Sequence, residues 1–427
     1  MLEQIFKSQA TIQKLREGIL GKYIDAFATY FVEQGYSQKT LRYRFGLVSK
    51  LNIWLQVHKL KLNDFNEQQI SQFIQYRKKT TANFIRKGDG KTLQLLVEFL
   101  RNKGVIPEQK ILAPENESVE KLIREFTLYL LEEKGLLAST AKRNGDVIRQ
   151  FLLKLFGQQR FNSQELTRSS LITYISDCRE HYSSKNTQLI ASILRSFLYF
   201  LLITGEIKTE LAQCIPSIHG YRATHLPVFL TADQIKKLLS ACDQSTPSGC
   251  RNYAILLLLI RLGVRASEVL KLSLDDINWS QGTIKITGKR KKRRVLPIPH
   301  DVGKAIATYL KKARPHCSSR QVFIRSRAPF QGLHNSSNIS SIVRRALITA
   351  GLSPQQQGAH LLRYTAATEA LRCGATLFEI GDLLGHCSVD TTALYTKVDI
   401  VRLKEIAMPW PDLQSMENDN EIISHFT

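Results

Sequence analysis

An internal repeat constrains the fold of this chain more strongly than any other feature of its sequence. The segment YIDAFATYFVEQGYSQKTLRYR, beginning at Tyr23, resembles LIREFTLYLLEEKGLLASTAKR, beginning at Leu122. Within these segments, Gly35 matches Gly135 at an offset of 100 residues. Both show the apolar periodicity of amphipathic helices, which predicts two similar helical units.

A second match lies further along the same two units. VEFLRNKGVI, beginning at Val97, resembles LYFLLITGEI, beginning at Leu198, and Gly104 matches Gly205 at an offset of 101 residues. Because the offset is nearly constant between the two matches, we predict a duplicated helical domain. Chance similarity between two amphipathic bundles is the alternative.

Each copy has the sequence of a small bundle in which basic residues follow the start of the second helix. The first helix is predicted to end at Gly35 or Gly135, and Ser37 or Ser139 to cap the next helix. Cations in a first turn oppose the helix dipole, whereas a bound phosphate would offset that cost. Solvated charge is the simpler explanation for each residue alone, and recurrence in both copies makes DNA contact an equal alternative. The basic residues are Lys39, Arg42, Arg44, Lys142 and Arg143.

Two proline-containing polar linkers, Gly104–Ser118 and Cys214–Phe229, divide the chain. The domains predicted from them are an N-terminal helical domain over 1–112, its duplicate over 118–210, a C-terminal domain over 226–413 and a flexible acidic tail over 414–427.

The C-terminal domain combines helical and strand patterns. Apolar helices are predicted over Ala232–Cys242, capped by Thr231, and over Asn252–Leu262. Residues 283–287 and 294–298 alternate with period two on either side of a basic turn, which predicts a β-hairpin. Further helices are predicted to begin at Ala266, Val302, Ile339, His360, Thr376 and Val389. The predicted fold class is therefore mainly α, with two helical bundles followed by an α+β domain that holds a small β-hairpin or sheet.

The charge of the chain indicates a polyanionic partner. Its 427 residues contain 60 Lys and Arg against 37 Asp and Glu, giving a net charge of +23. Such an excess usually reflects nucleic acid or an anionic membrane surface, and solubility alone is the alternative. No run reaches the roughly 18 apolar residues that a membrane span requires. The N-terminus lacks the pattern of a signal peptide.

The seven cysteines are scattered along the chain and form no C-x-x-C pair. This usage indicates reduced thiols in a cytoplasmic setting and no zinc site. His386 lies beside Cys387, but no further ligands stand at a suitable spacing, so no metal is predicted.

The stretch from His360 to Tyr395 carries the residues best suited to chemistry. Cleaving a phosphodiester without a metal requires cations on the nonbridging oxygens, a nucleophile, and an acid for the leaving oxygen. Arginine suits the first task because its guanidinium binds two oxygens at once. Taken singly, Arg265 would more often be a surface residue and Tyr395 a core residue. The residues that together could form such a site are Arg265, Lys289, His360, Arg363, His386 and Tyr395.

This set resembles the motifs of the tyrosine recombinase, or phage integrase, family. The preceding helical copy resembles the family's core-binding domain. Tyr364 stands where a histidine is common after the second arginine, and Val264 replaces a usual leucine. The similar segments lie in the family's order and spacing over roughly 225–410, and they are VRASEVLKLSLDDI, ITGKRKKRRVLPIP, HLLRYTAATEALRCGA and LLGHCSVDTTALYTKV.

The resemblance implies a mechanism. Tyr395 would attack the scissile phosphate, giving a 3′-phosphotyrosyl enzyme and a free 5′-hydroxyl, while the two arginines stabilise the pentacoordinate transition state. Lys289 would protonate the departing oxygen, His360 would act as base for the tyrosine, and His386 would bond a nonbridging oxygen. Because the bond energy is kept in the phosphotyrosine, no ATP, metal or other cofactor is required.

The resemblance also implies partners and a location. The family acts on double-stranded DNA with specific recombination sites, as a dimer on each site and as four protomers in the synapse. We expect the same homo-oligomers here, with accessory recombinases as further partners, in the bacterial cytoplasm and associated with the nucleoid. Leu403–Leu413 is a candidate for packing on a neighbouring protomer, and the ending KVDIVRLKEIAMPWPDL resembles transposon-borne members, which integrate or transpose DNA. DNA contacts are predicted for Arg42, Lys142, Arg143, Lys185, Arg290 and Lys291.

Two other functions are consistent with the residues. A type IB topoisomerase uses a similar constellation, and relaxation of a paired-site plasmid without strand exchange would favour it. An architectural DNA-binding protein with an inactive site would form no covalent complex on nicked DNA. The tandem helical domains and the complete set of six residue types favour a recombinase.

Overall fold

The computed structural model describes residues 1–62, 65–80, 86, 88–107, 117–157, 161–218, 228–288 and 292–385. The chain divides into two compact units. One contains Met1–Ile106 together with the residues from Leu226 onward, and the other contains Pro107–His225. The two parts of the first unit are thus separated in sequence by the whole of the second unit.

The first helical bundle, over residues 1–106, has an aromatic core. Its helices are α1 (Leu2–Ile5), α2 (Gln9–Arg16), α3 (Gly21–Glu33), α4 (Gln38–Val57), α5 (Glu67–Thr80) and α6 (Asp89–Asn102). The ring of Phe27 lies 4.5 Å from that of Phe31 and 5.0 Å from that of Phe99, measured between centroids. Burial of such apolar faces supplies most of the stability of helices in a bundle.

The second helical bundle, over residues 117–218, has a similar order of helices. They are α7 (Glu117–Glu132), α8 (Ala138–Phe156), α9 (Arg168–His181) and α10 (Ser184–Ile203). Its core also contains stacked and edge-to-face aromatic rings, with the centroids of Phe126 and Phe197 5.2 Å apart. Gly135 has a positive φ of 59° after α7, as Gly35 has a φ of 78° after α3, so both glycines follow the helix ends that the sequence predicts.

The buried positions of the two bundles correspond along the chain. The offset between matching positions is 99 residues for α3 and α7, 100 for α4 and α8, and 101 for α6 and α10. Single-residue insertions in the connecting loops account for these two steps. The buried pairs that show the correspondence are Phe27 with Phe126, Leu51 with Phe151, and Leu93 with Leu194.

The starts of α4 and α8 differ in how they are capped. Ser37 caps α4 as predicted, because its Oγ accepts a hydrogen bond from the Thr40 N–H at 3.4 Å. The prediction that Ser139 caps α8 is wrong. Leu137 occupies the position equivalent to Ser37 and α8 begins one residue after it, which places Ser139 inside the first turn.

The C-terminal domain is built around a helix that is buried on almost every side. This helix is α12 (Pro247–Leu262), and it packs against α14 (His300–Thr308) and α16 (Ala359–Arg372). It begins five residues earlier than predicted, because Thr246 caps it and Pro247 occupies its first turn. The helices of the domain are α11 (Ala232–Ser240), α12 (Pro247–Leu262), α13 (Ala266–Lys271), α14 (His300–Thr308), α15 (Ser336–Thr349), α16 (Ala359–Arg372) and α17 (Leu377–Leu384).

A three-stranded antiparallel sheet lies between α13 and α14. Its strands, in spatial order, are β1 (Ile277–Asn278), β2 (Thr283–Thr287) and β3 (Arg293–Pro297). Buried Ile284 faces Leu296 across the hairpin that the sequence predicts. Strand β1 was not predicted, since two residues are too few to show a period. The mainly helical fold class with a small sheet is confirmed.

One helix of the described residues, α10, is long and apolar enough to cross a membrane by length and composition. Half of its most apolar window is buried inside the second bundle. Leu194, Phe197 and Leu201 form part of the core there, as expected for the central helix of a bundle.

The first bundle contacts the C-terminal domain through the turn after α3. The Phe330 N–H donates to the carbonyl oxygen of Gln34 at 3.1 Å, and the Gln331 side-chain amide donates to Gln34 Oε1 at 3.0 Å. The Phe330 ring lies directly on Gly35, where an added Cβ would stand 2.2 Å from ring carbon Cδ2. Only glycine leaves room for this contact.

Candidate active site

The end of α12 determines where Arg265 stands. Gly263 ends the helix in the left-handed region, with a φ of 56°, and is packed so closely that a Cβ would lie 2.5 Å from Leu384 Cδ2. Two residues later, Arg265 is the N-cap residue of α13. A helix end and a helix start thus fix the backbone of Arg265 on both sides.

Arg363 reaches the same place from the middle of α16. Its side chain is buried, with only 3% of the residue exposed. Nη1 donates to the carbonyl oxygen of Gly263 at 2.6 Å, and Nη2 donates to that of Leu384 at 2.7 Å. The guanidinium is therefore held between the end of α12 and the end of α17.

Arg265 meets Arg363 at the carbonyl oxygen of Leu384. Nη1 of Arg265 donates to this oxygen at 3.3 Å, and Nη2 donates to the Gly385 carbonyl oxygen at 3.3 Å. The two guanidiniums lie at the C-terminal end of α17, where the helix dipole favours cations. Within the described part of the chain, Nε–H and one Nη2 hydrogen of Arg265 find no acceptor. Arg265 therefore keeps N–H donors for an anion with several oxygens, and the buried cation Arg363 adds its charge beside it.

Buried Glu268 orients Arg265. One carboxylate oxygen of Glu268, Oε2, accepts the backbone N–H of Arg265 at 2.9 Å, and Oε1 accepts its Nη1 at 3.1 Å. Burial raises the pKa of Glu268, but hydrogen bonds from Arg294 and Arg265 and the charges of both arginines outweigh it and lower the pKa overall. Sequence reasoning missed this role of Glu268; the spacing Arg265-x-x-Glu268, which suits a helix cap, is the signal that could have revealed it.

His360 stands at the start of α16, one turn before Arg363. Partial burial of its ring lowers its pKa below the ordinary value, and the charges of Arg363 and Arg265 lower it further. The Tyr364 ring lies next to it, with the centroids 6.4 Å apart. The structure therefore brings Arg265, His360 and Arg363 together, and it favours a neutral His360 near pH 7.

The other predicted site residues lie outside the described residues. These are Lys289, Arg290, Lys291, His386 and Tyr395. Described residues lie directly beside them. The Gly288 N–H donates to the Lys292 carbonyl oxygen at 2.8 Å, and this hydrogen bond joins the two ends of the hairpin turn. Gly385, directly before His386, ends α17 with a φ of 63°.

The predicted DNA contacts on the two bundles have different surroundings. Lys142, Arg143 and Lys185 are exposed and form no hydrogen bond or ion pair within the described ranges. Arg42 is also exposed, but its Nε donates to the carbonyl oxygen of Ile5 at 2.7 Å. Arg42 therefore ties α4 to α1, whether or not it also meets DNA.

Comparison with known proteins places this site in a family. Residues 228–401 match the family model described as the phage integrase family. An integrase/recombinase of Sinorhizobium fredii, y4rA, is 35% identical over 395 residues, which cover 92% of this chain and 95% of the relative. The tyrosine recombinase XerD of Listeria innocua is 31% identical and covers 67% of this chain and 96% of its own length.

A solved structure shows the same fold. XerH site-specific recombinase bound to palindromic difH substrate aligns with a TM-score of 0.54 at 19% identity, covering 80% of this chain and 95% of that one. The chain belongs to the phage integrase family, the tyrosine recombinases, which cleave and rejoin DNA. The predicted family, fold class and enzyme class are confirmed.

Proposed function

We propose that this protein is a site-specific DNA recombinase that works through a 3′-phosphotyrosyl intermediate on Tyr395, without metal or ATP. The observation that carries the proposal is the convergence of Arg265 and Arg363 on the Leu384 carbonyl oxygen. Two guanidiniums fixed at one point can stabilise charge that develops on nonbridging phosphate oxygens, with little reorganisation during the reaction.

The chemistry is a pair of reversible transesterifications. The Tyr395 oxygen attacks phosphorus, the bond from phosphorus to the 5′-oxygen breaks, and Lys289 supplies the proton that this oxygen needs. His360 takes the proton of the tyrosine, and His386 donates a hydrogen bond to a nonbridging oxygen. Rejoining is the reverse attack by the 5′-hydroxyl of a partner strand. No bond energy is lost, so the two steps balance without a cofactor.

A neutral His360 is the form that can accept a proton. Because its pKa is lowered from the ordinary 6.5, the base form dominates at pH 7. The rate of cleavage should therefore be level near pH 7 and fall only as pH drops through the lowered pKa, below 6.5. A pH–rate profile of covalent complex formation on saturating DNA measures this, and an acid limb above pH 7 would contradict the role of His360.

The proposal extends to partners and domains. We propose that a dimer of this chain binds each recombination site and that two such dimers form a tetrameric synapse, with accessory recombinases as further partners. The reaction is integration or transposition of a mobile element, and it takes place in the cytoplasm, at the nucleoid. The net charge of +23 suits a DNA partner.

The proposed domains are the N-terminal copy (1–112), the core-binding copy (118–210), the catalytic domain (226–413) and an acidic tail (414–427). Arg42, Lys142, Arg143, Lys185, Arg290 and Lys291 are the proposed DNA contacts.

The test is a covalent complex on nicked suicide DNA. The cognate site is first identified by sequencing the DNA ends that remain attached to the protein in cells. Wild type should form an adduct that survives SDS, Tyr395→Phe should form none, and Tyr364→Phe is the matched control because its ring lies 6.4 Å from that of His360, between centroids. Absence of a wild-type adduct on a verified site, or an adduct in Tyr395→Phe, would refute the proposal.

A further inference from the structure

Arg294, the second residue of β3, is joined to the active site through a carboxylate. Its Nη1 donates to Glu268 Oε1 at 3.1 Å and its Nη2 to Glu268 Oε2 at 2.8 Å. The Glu268 side chain is 1% exposed and that of Arg294 is 13% exposed. Parallel hydrogen bonds of this kind form the strongest and most directional pairing between these two groups.

The same carboxylate is shared with Arg265. Both Glu268 oxygens accept from Arg265 as well as from Arg294, through Nη1 of Arg265 to one oxygen and the backbone N–H to the other. One negative charge thus serves two guanidiniums. Because Arg294 binds the same carboxylate, the negative charge of Glu268 offsets the positive charge of Arg265 only in part. Arg265 therefore retains the attraction and the N–H donors that a phosphate requires.

The pair of Arg294 and Glu268 also lies against Gly385 and Gly288. A Cβ on Gly385 would lie 2.6 Å from Arg294 Nη1 and 3.2 Å from its Cζ. A Cβ on Gly288 would lie 3.2 Å from Glu268 Oε1. These two glycines directly precede Lys289 and His386 in the sequence, and both glycines lie against the pair of Arg294 and Glu268.

We propose that Arg294 is a positioning residue for strand cleavage: it occupies the Glu268 carboxylate so that Arg265 remains available to the scissile phosphate, and it supports the Gly385 backbone. This proposal rests on the proposed function. Without Arg294, Glu268 would pair with Arg265 alone and draw its guanidinium away from the DNA. The loss would appear in the rate of cleavage on saturating DNA, whereas DNA affinity would change little.

The experiment measures two quantities on the full-length protein with nicked suicide DNA: affinity, and the rate of covalent complex formation at saturation. For Arg294→Gln we expect a fall of about a hundredfold in the rate, the scale of losing one transition-state donor, with little change in affinity. Arg294→Lys should fall between it and wild type, because lysine keeps the charge but not the two parallel hydrogen bonds. Arg293→Gln is the matched control, since its exposed neighbouring side chain should affect affinity and not the rate.

A second substitution separates positioning from a merely structural role. In the Arg294→Gln background, Glu268→Gln removes the charge that would capture Arg265, so the double variant should recover at least part of the lost rate. A double variant as slow as Arg294→Gln would overturn the proposal, as would wild-type rates in both Arg294→Gln and Arg294→Lys. Circular dichroism checks that the variants fold. If Arg294→Gln does not fold, the same rates are compared for Arg294→Lys alone and for Arg294→Lys combined with Glu268→Gln. Recovery of the rate in that double variant supports the proposal, and a double variant as slow as Arg294→Lys overturns it. Failure of wild type to form any adduct would instead refute the proposed function.

Discussion

The two helical bundles have matching buried positions and different first turns in their second helices. In the first bundle, two of the basic residues of α4 contact other groups of the same bundle. Arg42 donates to the Ile5 carbonyl oxygen, and the guanidinium of Arg44 lies 4.1 Å above the ring of Tyr36. In the second bundle, Lys142 and Arg143 of α8 are exposed and form no such contacts within the described residues. Equivalent charges in a repeat can therefore have different functions.

The turns before these helices differ in the same way. Gly35 is covered by Phe330 of the C-terminal domain, whereas a Cβ on Gly135 would have no described atom within 4 Å. The first bundle thus uses this end to hold another part of its own unit. At the corresponding end of the second bundle, no such contact exists among the described residues.

Substitutions at equivalent core positions of the two bundles should have the largest effect on stability. Phe27→Ala and Phe126→Ala each remove a fully buried ring at an equivalent position, so each should destabilise its own bundle by about 3–5 kcal/mol. Hydrogen exchange of α3 and α7, measured on the whole chain, reports the two bundles separately. Strongly unequal losses would show that the correspondence in sequence does not extend to energetics.

The two glycine turns should respond differently to a methyl group. Gly135→Ala costs only the strain of a positive φ, about 1–2 kcal/mol. Gly35→Ala carries the same strain and also forces the Phe330 ring aside, so it should cost more and expose residues 325–332 to hydrogen exchange. In a Phe330→Ala background, the stability cost of Gly35→Ala should approach that of Gly135→Ala. Equal costs from the start would show that the contact with Phe330 contributes nothing.

Salt dependence distinguishes the basic residues of α4 from those of α8. If Lys142 and Arg143 each contact a phosphate, replacing both by alanine should reduce the slope of log K against log salt by about 1.8, since each contact contributes about 0.9. Arg42→Ala should reduce the slope by about 0.9 if this proposed contact also reaches a phosphate, and it should in addition loosen α1, because the Ile5 carbonyl oxygen loses its donor. An unchanged slope in Arg42→Ala would limit Arg42 to the packing of the first bundle.

The smallest effect concerns the helix caps. Ser37→Ala should destabilise the first bundle by about 1 kcal/mol, because the Thr40 N–H loses its acceptor. Ser139→Ala should be close to neutral, because Ser139 lies within the first turn of α8 and does not cap it. Chemical denaturation of the two variants in parallel measures the difference, and a loss of about 1 kcal/mol for Ser139→Ala would reverse the assignment.

Local patterns predicted the features that depend on neighbouring residues. The glycines after α3 and α7, the Ser37 cap and the alternation of β2 follow from a few residues each, and they agree with the structure. Ser139 was misassigned because a favoured cap residue stands two positions after the true N-cap residue, Leu137. Residue type alone does not fix where a helix begins.

The site was predictable in its residue types but not in its geometry. Resemblance to a family indicated Arg265, His360 and Arg363, and the structure brings these three together. The two arginines meet at the Leu384 carbonyl oxygen, which is 119 residues from Arg265 and 21 residues from Arg363 in the sequence. No local pattern reveals a contact over such separations. For the same reason, the pairing of Arg294 with Glu268 was visible only in three dimensions.

The contact between Gln34 and Gln331 joins residues 297 positions apart and has a consequence for synthesis of the chain. When the first bundle leaves the ribosome, the surface that will hold its Gly35 turn has not yet been made. At ordinary elongation rates the delay is about 15–60 s, long enough for both bundles to fold independently. The first compact unit therefore closes last, after the second unit is complete, and a nascent chain stopped before Phe330 leaves the Gly35 turn uncovered.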